Sequence, residues 1–172
     1  MKVETTEPCI RPLSAGDAEA LLRFYQDLSE QTVHFYEPYS ERSKERMDEV
    51  VRRAVSGQDV ALVLVNASGE IAGHGFLTDI NKPEPSFGIG LADAWQSHGY
   101  GSQLMAAVLA AADGRASVAA VLLTVNKQNV RALNTYRRFG FVVYGECDHR
   151  EPGDSYRMRR TTGGHLAADQ RG

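Results

Sequence analysis

Val125-Asn126-Lys127-Gln128-Asn129-Val130-Arg131-Ala132-Leu133-Asn134-Thr135-Tyr136-Arg137-Arg138-Phe139-Gly140-Phe141 contains the change of period that decides the fold. Before it, Val118 to Val125 is a continuous apolar run of strand length, the pattern of a strand covered on both faces and so central in a sheet. Residues 129 to 139 read as a helix and Gly140 as its left-handed cap. Phe141 to Glu146 then returns to the sheet.

Upstream, Gln96-Ser97-His98-Gly99-Tyr100-Gly101 lies between a strand, Ser86 to Leu91, and a helix over 102 to 113. That helix carries Leu104, Met105, Val108, Leu109 and Ala112 at helical spacing and stops at Gly114. Glycines in a strand-to-helix turn let the backbone come close to a ligand, and the free N–H groups of a first helical turn attract phosphate oxygens. Alone, the stretch fits a turn that needs glycine only for geometry. It is neither a GxGxxG dinucleotide fingerprint after a first strand nor a GxxxxGK loop.

The N-terminal half supplies the remaining elements. Cys9 and Ile10 form a short strand, and Ser14-Ala15-Gly16-Asp17 resembles a capping box before a helix with Ala18, Leu21, Leu22, Tyr25 and Leu28 on one face. A second helix follows Ser43, with Met47, Val50, Val51 and Ala54 inward and Gly57 as its end. Val60 to Val65 and Ile71 to Leu77 pair through Asn66 to Gly69 as an antiparallel hairpin, and Pro83 and Pro85 break the chain before Ser86. Pro152-Gly153 turns into a last strand, Asp154 to Arg159. The expectation is one domain over residues 1–160, with a disordered tail over 161–172.

The chain has 172 residues, 42% hydrophobic and 24% charged, enough to bury a core without disulfides or metals. Nineteen basic against 22 acidic side chains leave a formal charge of −3, which speaks against a nucleic-acid partner. Cys9 and Cys147 lack metal-ligand or redox spacing and read as buried, reduced thiols. No apolar run is long enough to span a membrane and the first residues do not resemble a signal peptide, so a cytoplasmic protein with no membrane partner is expected.

Together the two stretches resemble the GNAT superfamily of acyl-CoA N-acyltransferases. Gln96, Gly99 and Gly101 match the family's pyrophosphate loop; Val125, Asn126, Asn129, Ala132, Tyr136, Gly140 and Phe141 match the unit that follows it. The order of elements from residue 9 to 159 agrees as well. The resemblance implies a mixed α/β fold: a mostly antiparallel, splayed sheet of about seven strands with four helices on both faces. It implies transfer of an acetyl or short acyl group from acetyl-CoA to an amine by direct attack on the thioester, with no metal and with the family's frequent dimerisation. A non-catalytic acyl-CoA-binding module on the same fold is the alternative.

Site residues carry over one by one. Ile89, Gly90 and Leu91 would border the pantetheine arm, with Ile89 and Leu91 offering backbone groups. Gln96, Ser97, His98, Gly99, Tyr100, Gly101 and Ser102 would form the pyrophosphate loop, acting through backbone, with the His98 side chain in solvent. Asn129 would face CoA, and capping its helix is an equal reading. Tyr136 would stabilise or protonate the leaving thiolate; outside this motif it would read as a core residue with its hydroxyl at the rim. An attacking amine must also lose a proton. Glu84 sits where some members place a carboxylate, and Asp79 and His74 are further candidates, though each alone reads more simply as a solvated or hydrogen-bonded side chain. Phe35-Tyr36-Glu37-Pro38-Tyr39 would either wall the acceptor pocket or pack a loop.

Overall fold

A computed structural model describes residues 7–163; of the tail expected over 161–172, residues 164–172 lie outside the described residues. Strand β1 (Cys9–Pro12) leads to helices α1 (Ala18–Gln26), α2 (Glu30–Phe35) and α3 (Lys44–Val55). Strands β2 (Val60–Val65), β3 (Ile71–Thr78) and β4 (Ser86–Leu91) follow. A short 3-10 turn, Asp93–Trp95, precedes α4 (Tyr100–Asp113), β5 (Ala120–Asn126), α5 (Val130–Arg138), β6 (Val142–Cys147) and β7 (Ser155–Thr161).

One seven-stranded sheet runs β1-β2-β3-β4-β5-β7-β6. All its pairings are antiparallel except β4 with β5, which are parallel and meet only at Ser86 and Leu122. The two prolines explain where they meet. Pro83 O accepts from Ala119 N–H at 2.8 Å and Pro85 O from Leu122 N–H at 3.0 Å, tying the strands at their N-terminal ends. Beyond that tie the strands diverge, and their C-terminal halves have unpaired inner edges.

Helices cover both faces. Leu21, Phe24 and Tyr25 of α1 and Met47, Val50 and Val51 of α3 pack with Val63 and Phe76 on one side. Leu104, Met105, Val108 and Leu109 of α4 and Leu133 of α5 pack with Leu77, Val121 and Met158 on the other. These apolar stripes recur at helical spacing, so burying them is what stacks the layers.

Five α-helices form among the described residues where four were expected. The addition, α2, buries none of its six residues and so has no apolar stripe to be read. A cap stabilises it instead: Ser29 Oγ accepts from Thr32 N–H at 3.2 Å. The cysteines also differ from expectation. Cys9 is exposed and Cys147 half-buried, because they lie on β1 and β6, the two edges of the sheet. The ordered chain passes residue 160: β7 runs to Thr161, and Thr162 is buried with Oγ1 donating to Val118 O at 2.8 Å. The Asp113 carboxylate accepts from the Arg160 guanidinium and from Gly163 N–H, which holds this end in place.

Candidate active site

The divergence of β4 and β5 opens a cleft of about 1710 Å³, larger than the roughly 300–1,000 Å³ of an ordinary small-molecule pocket. Its β4 wall has a defined polarity. Ala92 N–H donates to Ala72 O at 2.8 Å, and hydrogen-bonded pairs alternate along an antiparallel ladder, so Gly90 and Gly88 turn their backbone groups to β3. Ile89 and Leu91 therefore turn theirs to the opening, where an extended ligand can pair as an added strand.

The cleft ends at the turn into α4. Ser97 and Gly99 both adopt left-handed backbone, with φ of 67° and 85°. Gly99 is the helix N-cap and offers no side chain to cap with. The amides of residues 97 to 102 consequently find no acceptor among the described residues. Ser97, Gly99, Gly101 and Ser102 line the cleft, whereas His98 is exposed outside it and Tyr100 packs on Trp95, ring centroids 5.2 Å apart. Gln96 lines it too, but its amide is occupied: Nε2 donates to Leu91 O and to Thr32 Oγ1, each at 3.1 Å, bracing the loop against β4 and α2. Unpaired amides at the positive end of a 14-residue helix are an arrangement that attracts an anion.

Across the opening, α5 presents Tyr136, whose ring packs edge-on to Phe87 at 6.2 Å and Phe141 at 5.8 Å. Burial among them pushes its phenol up to about 12, so at neutral pH it is a hydrogen-bond donor, and its hydroxyl has no partner among the described residues. Asn129 lines the cleft and also caps α5, its Oδ1 accepting from Ala132 N–H at 3.3 Å. Arg131, Arg137 and Arg138 of α5 line the cleft as well. The sequence reading assigned them nothing, although a basic run on the polar face of the helix was their signal.

The carboxylates considered as bases are not brought to the cleft. Glu84 is exposed outside it, its Oε1 accepting from Arg159 Nε at 3.0 Å. That pairing follows from register: Arg159 lies opposite Leu122, and Leu122 is the residue that meets β4. Asp79 is held by Arg53 at 2.9 Å and Lys82 at 3.1 Å. His74 is fully buried in β3, and burial depresses its pKa to about 3. Phe35, Tyr36, Glu37 and Pro38 do line the cleft, while Tyr39 is buried in the α1–α3 layer. Ser29, Gln31, Thr32 and His34 of α2 and its cap add to that wall, and Thr32 Oγ1 donates a short hydrogen bond to Asp93. Among the described residues no three His, Cys, Asp or Glu side chains are grouped to hold a metal ion, and no helix is long and apolar enough to cross a membrane.

A splayed parallel pair, a turn of free amides and a phenol lining the same cleft make up this site. The acetyltransferase (GNAT) domain family matches residues 9–142, most of the chain. The chain belongs to the GNAT acetyltransferase family. Solved structures agree with this GNAT chain in fold. A GNAT-family acetyltransferase from Streptococcus pneumoniae superposes with a TM-score of 0.73 at 20% identity, covering 90% of this chain and 99% of that one. Spermidine N-acetyltransferase from Vibrio cholerae, in complex with CoA and spermine, gives 0.73 at 20% identity over 94% and 99%. A dodecameric structure of the Vibrio cholerae spermidine enzyme in an intermediate state gives 0.73 at 19% over 95% and 99%. No curated protein matches this GNAT chain.

Proposed function

We propose that this protein transfers an acetyl group from acetyl-CoA to a primary amine by direct attack on the thioester. The observation that carries the reading is the set of unpartnered amides over residues 97 to 102 at the mouth of the cleft. In this reading the pyrophosphate occupies the cradle and the pantetheine runs beside Ile89, Gly90 and Leu91. Asn129 and the α5 arginines flank the coenzyme, and the thioester lies at Tyr136. The CoA complex of the Vibrio cholerae relative supports the donor, and its bound spermine supports an amine acceptor.

The chemistry follows from charge. A neutral amine adds to the acyl carbon, the C–N bond forms, and the C–S bond breaks to release a thiolate. The proton lost by nitrogen reaches the thiolate through water in the open cleft. Tyr136 stands where that thiolate forms, and its raised pKa defines its part. Full transfer from a phenol near 12 to a thiol of ordinary pKa 8.5 is uphill by about 5 kcal/mol. Tyr136 therefore donates a hydrogen bond to the leaving sulfur and keeps its proton. Glu84, committed to Arg159, has no part in this reading. A homodimer belongs to it, supported by the dodecameric relative.

The test is release of free CoA thiol from acetyl-CoA with a panel of amines, including spermidine, benzylamine and peptide N-termini. Thiol release that depends on amine and coincides with an N-acetylated product is the expected result. Tight acetyl-CoA binding with no release for any amine would leave a binding module in place of an enzyme.

A further inference from the structure

Tyr36, Tyr25 and His74, scattered along the sequence, form one polar line from the cleft into the core. Tyr36 lines the cleft, and its ring lies over β4 where Gly90 leaves room; a Cβ at Gly90 would overlap it. The Tyr36 hydroxyl is 2.8 Å from the Tyr25 hydroxyl, which is 2.7 Å from His74 Nδ1. His74 is 0% exposed, and its Nε2 has no partner among the described residues. Burial, then the nearness of Tyr39 and Tyr136, holds the Tyr36 phenol above its ordinary range, so it stays protonated.

Such a chain has a direction, and the tautomer of His74 sets it. Burial without a counter-charge keeps the ring neutral, with one N–H. A proton on Nδ1 would make His74 donate to Tyr25, Tyr25 to Tyr36, and Tyr36 into the cleft. A proton on Nε2 reverses every bond, and the Tyr36 oxygen then turns its lone pairs to the cleft. The second order wins on basicity. An imidazole nitrogen, with a conjugate acid near 6.5, is a far stronger acceptor than a phenol oxygen, and phenol is a good donor to it. The cost is a buried Nε2–H, whose ring sits 5.0 Å from that of Phe76, an aromatic neighbour suited to a weak N–H contact.

We propose that Tyr36 receives the acceptor amine: its hydroxyl oxygen, oriented through Tyr25 by the buried His74, accepts a hydrogen bond from the attacking nitrogen and aims that nitrogen's lone pair at the acyl carbon. The inference rests on the acetyl-transfer reading above and deepens it. Tyr36 is the group that touches substrate; Tyr25 and His74 are positioning residues. No proton is stored on His74, since an imidazolium there would be buried without a partner. The two phenols then divide the reaction, with Tyr36 accepting from the nucleophile and Tyr136 donating to the leaving group.

The test uses selective 15N-histidine labelling of the full chain at neutral pH, with His74→Gln to assign the resonances. Nδ1 is expected unprotonated and Nε2 protonated; a protonated Nδ1 would overturn the proposal. Benzylamine added with CoA should move the Nδ1 resonance in the native chain and not in Tyr36→Phe, and an equal shift in both, or none in the native chain, counts against it. In the thiol assay with benzylamine and spermidine, Tyr36→Phe should lower kcat/KM for the amine about tenfold and leave the KM of acetyl-CoA unchanged. Tyr25→Phe should lower it about threefold. An unchanged amine kcat/KM in Tyr36→Phe, or weakened acetyl-CoA binding in calorimetry, removes Tyr36 from this role. Absence of turnover with every amine refutes the transfer reading instead, and the labelled His74 then still reports the direction of the chain.

Discussion

Replacing the two cradle glycines separately should move stability in opposite directions and lower coenzyme affinity at Gly99 alone. Gly99 holds φ at 85°, and a Cβ there meets nothing within 4 Å, so Gly99→Ala adds no clash and pays only for left-handed backbone, about 1–2 kcal/mol. For a chain of this length each kcal/mol shifts Tm by about 2–4 °C, so Tm should fall by roughly 2–8 °C. Gly101 lies inside α4 without positive φ, and an added Cβ would rest 3.4 Å from Leu91 Cδ1. Gly101→Ala therefore gains helix propensity, a few tenths to about 1 kcal/mol, and should raise Tm slightly. In Gly99→Ala the new methyl group stands at the N-cap beside amides that the diphosphate must reach, so affinity should fall at least tenfold, whereas in Gly101→Ala it points at Leu91 and affinity should stay within about threefold of native. Differential scanning fluorimetry with and without acetyl-CoA, alongside calorimetric titration, reads both quantities. At 100 times Kd the native chain gains about 2.7 kcal/mol from the ligand, and at the same concentration Gly99→Ala should gain distinctly less. Native affinity in Gly99→Ala would refute the cradle, because that methyl group stands at the N-cap of α4, among the amides the diphosphate has to reach.

Four further outcomes are expected. Tyr136→Phe should cut kcat by about 10- to 100-fold with acetyl-CoA affinity unchanged in calorimetry, since it deletes a donor used as the thiolate forms. Leu104→Ala removes a side chain that is 0% exposed between α4 and the sheet, and should cost about 2–5 kcal/mol in urea unfolding. Asp17 is held at about 2, first by its hydrogen bond to Arg11, so its stabilisation is fully present above its unfolded pKa near 3.9 and is lost as pH falls through about 2. Because Arg11 is 38% exposed, the discounted contribution is about 1–2 kcal/mol, and Asp17→Asn should match native stability below pH 2 while being less stable at neutral pH. Light scattering should give at least twice the 18.9 kDa chain mass; a monomer at every concentration removes the dimer from the proposal.

Some of this protein was fully local, and those parts were legible in the sequence. Strands over Val60–Val65 and Ser86–Leu91 form where their apolar runs and bounding turn residues place them. Gly140, read as a left-handed cap, has φ of 90°. The glycine turn before α4 and the helix carrying Tyr136 likewise depend on residues adjacent in the chain, so their spacing sufficed to expose the family and the cradle.

Other features exist only because distant segments meet. Helix α2 has no buried face, so periodicity is silent about it, and its place depends on Ser29 and Thr32 reaching Asp93 across the fold. Glu84 was a candidate base whose partner the sequence did not name, and the sheet register sets Arg159 beside it. The two cysteines are not buried because β1 and β6 became edges, a property of strand order. Tyr25, Tyr36 and His74 carry no motif, and their line exists because α1 and the segment after α2 pack on the same face of β3 and β4. Local sequence determined elements, caps and the phosphate turn, because those are set by a few neighbouring dihedrals and side chains. The partners of each polar group were decided by packing, because a hydrogen bond or ion pair acts over about 3 Å of space regardless of separation along the chain.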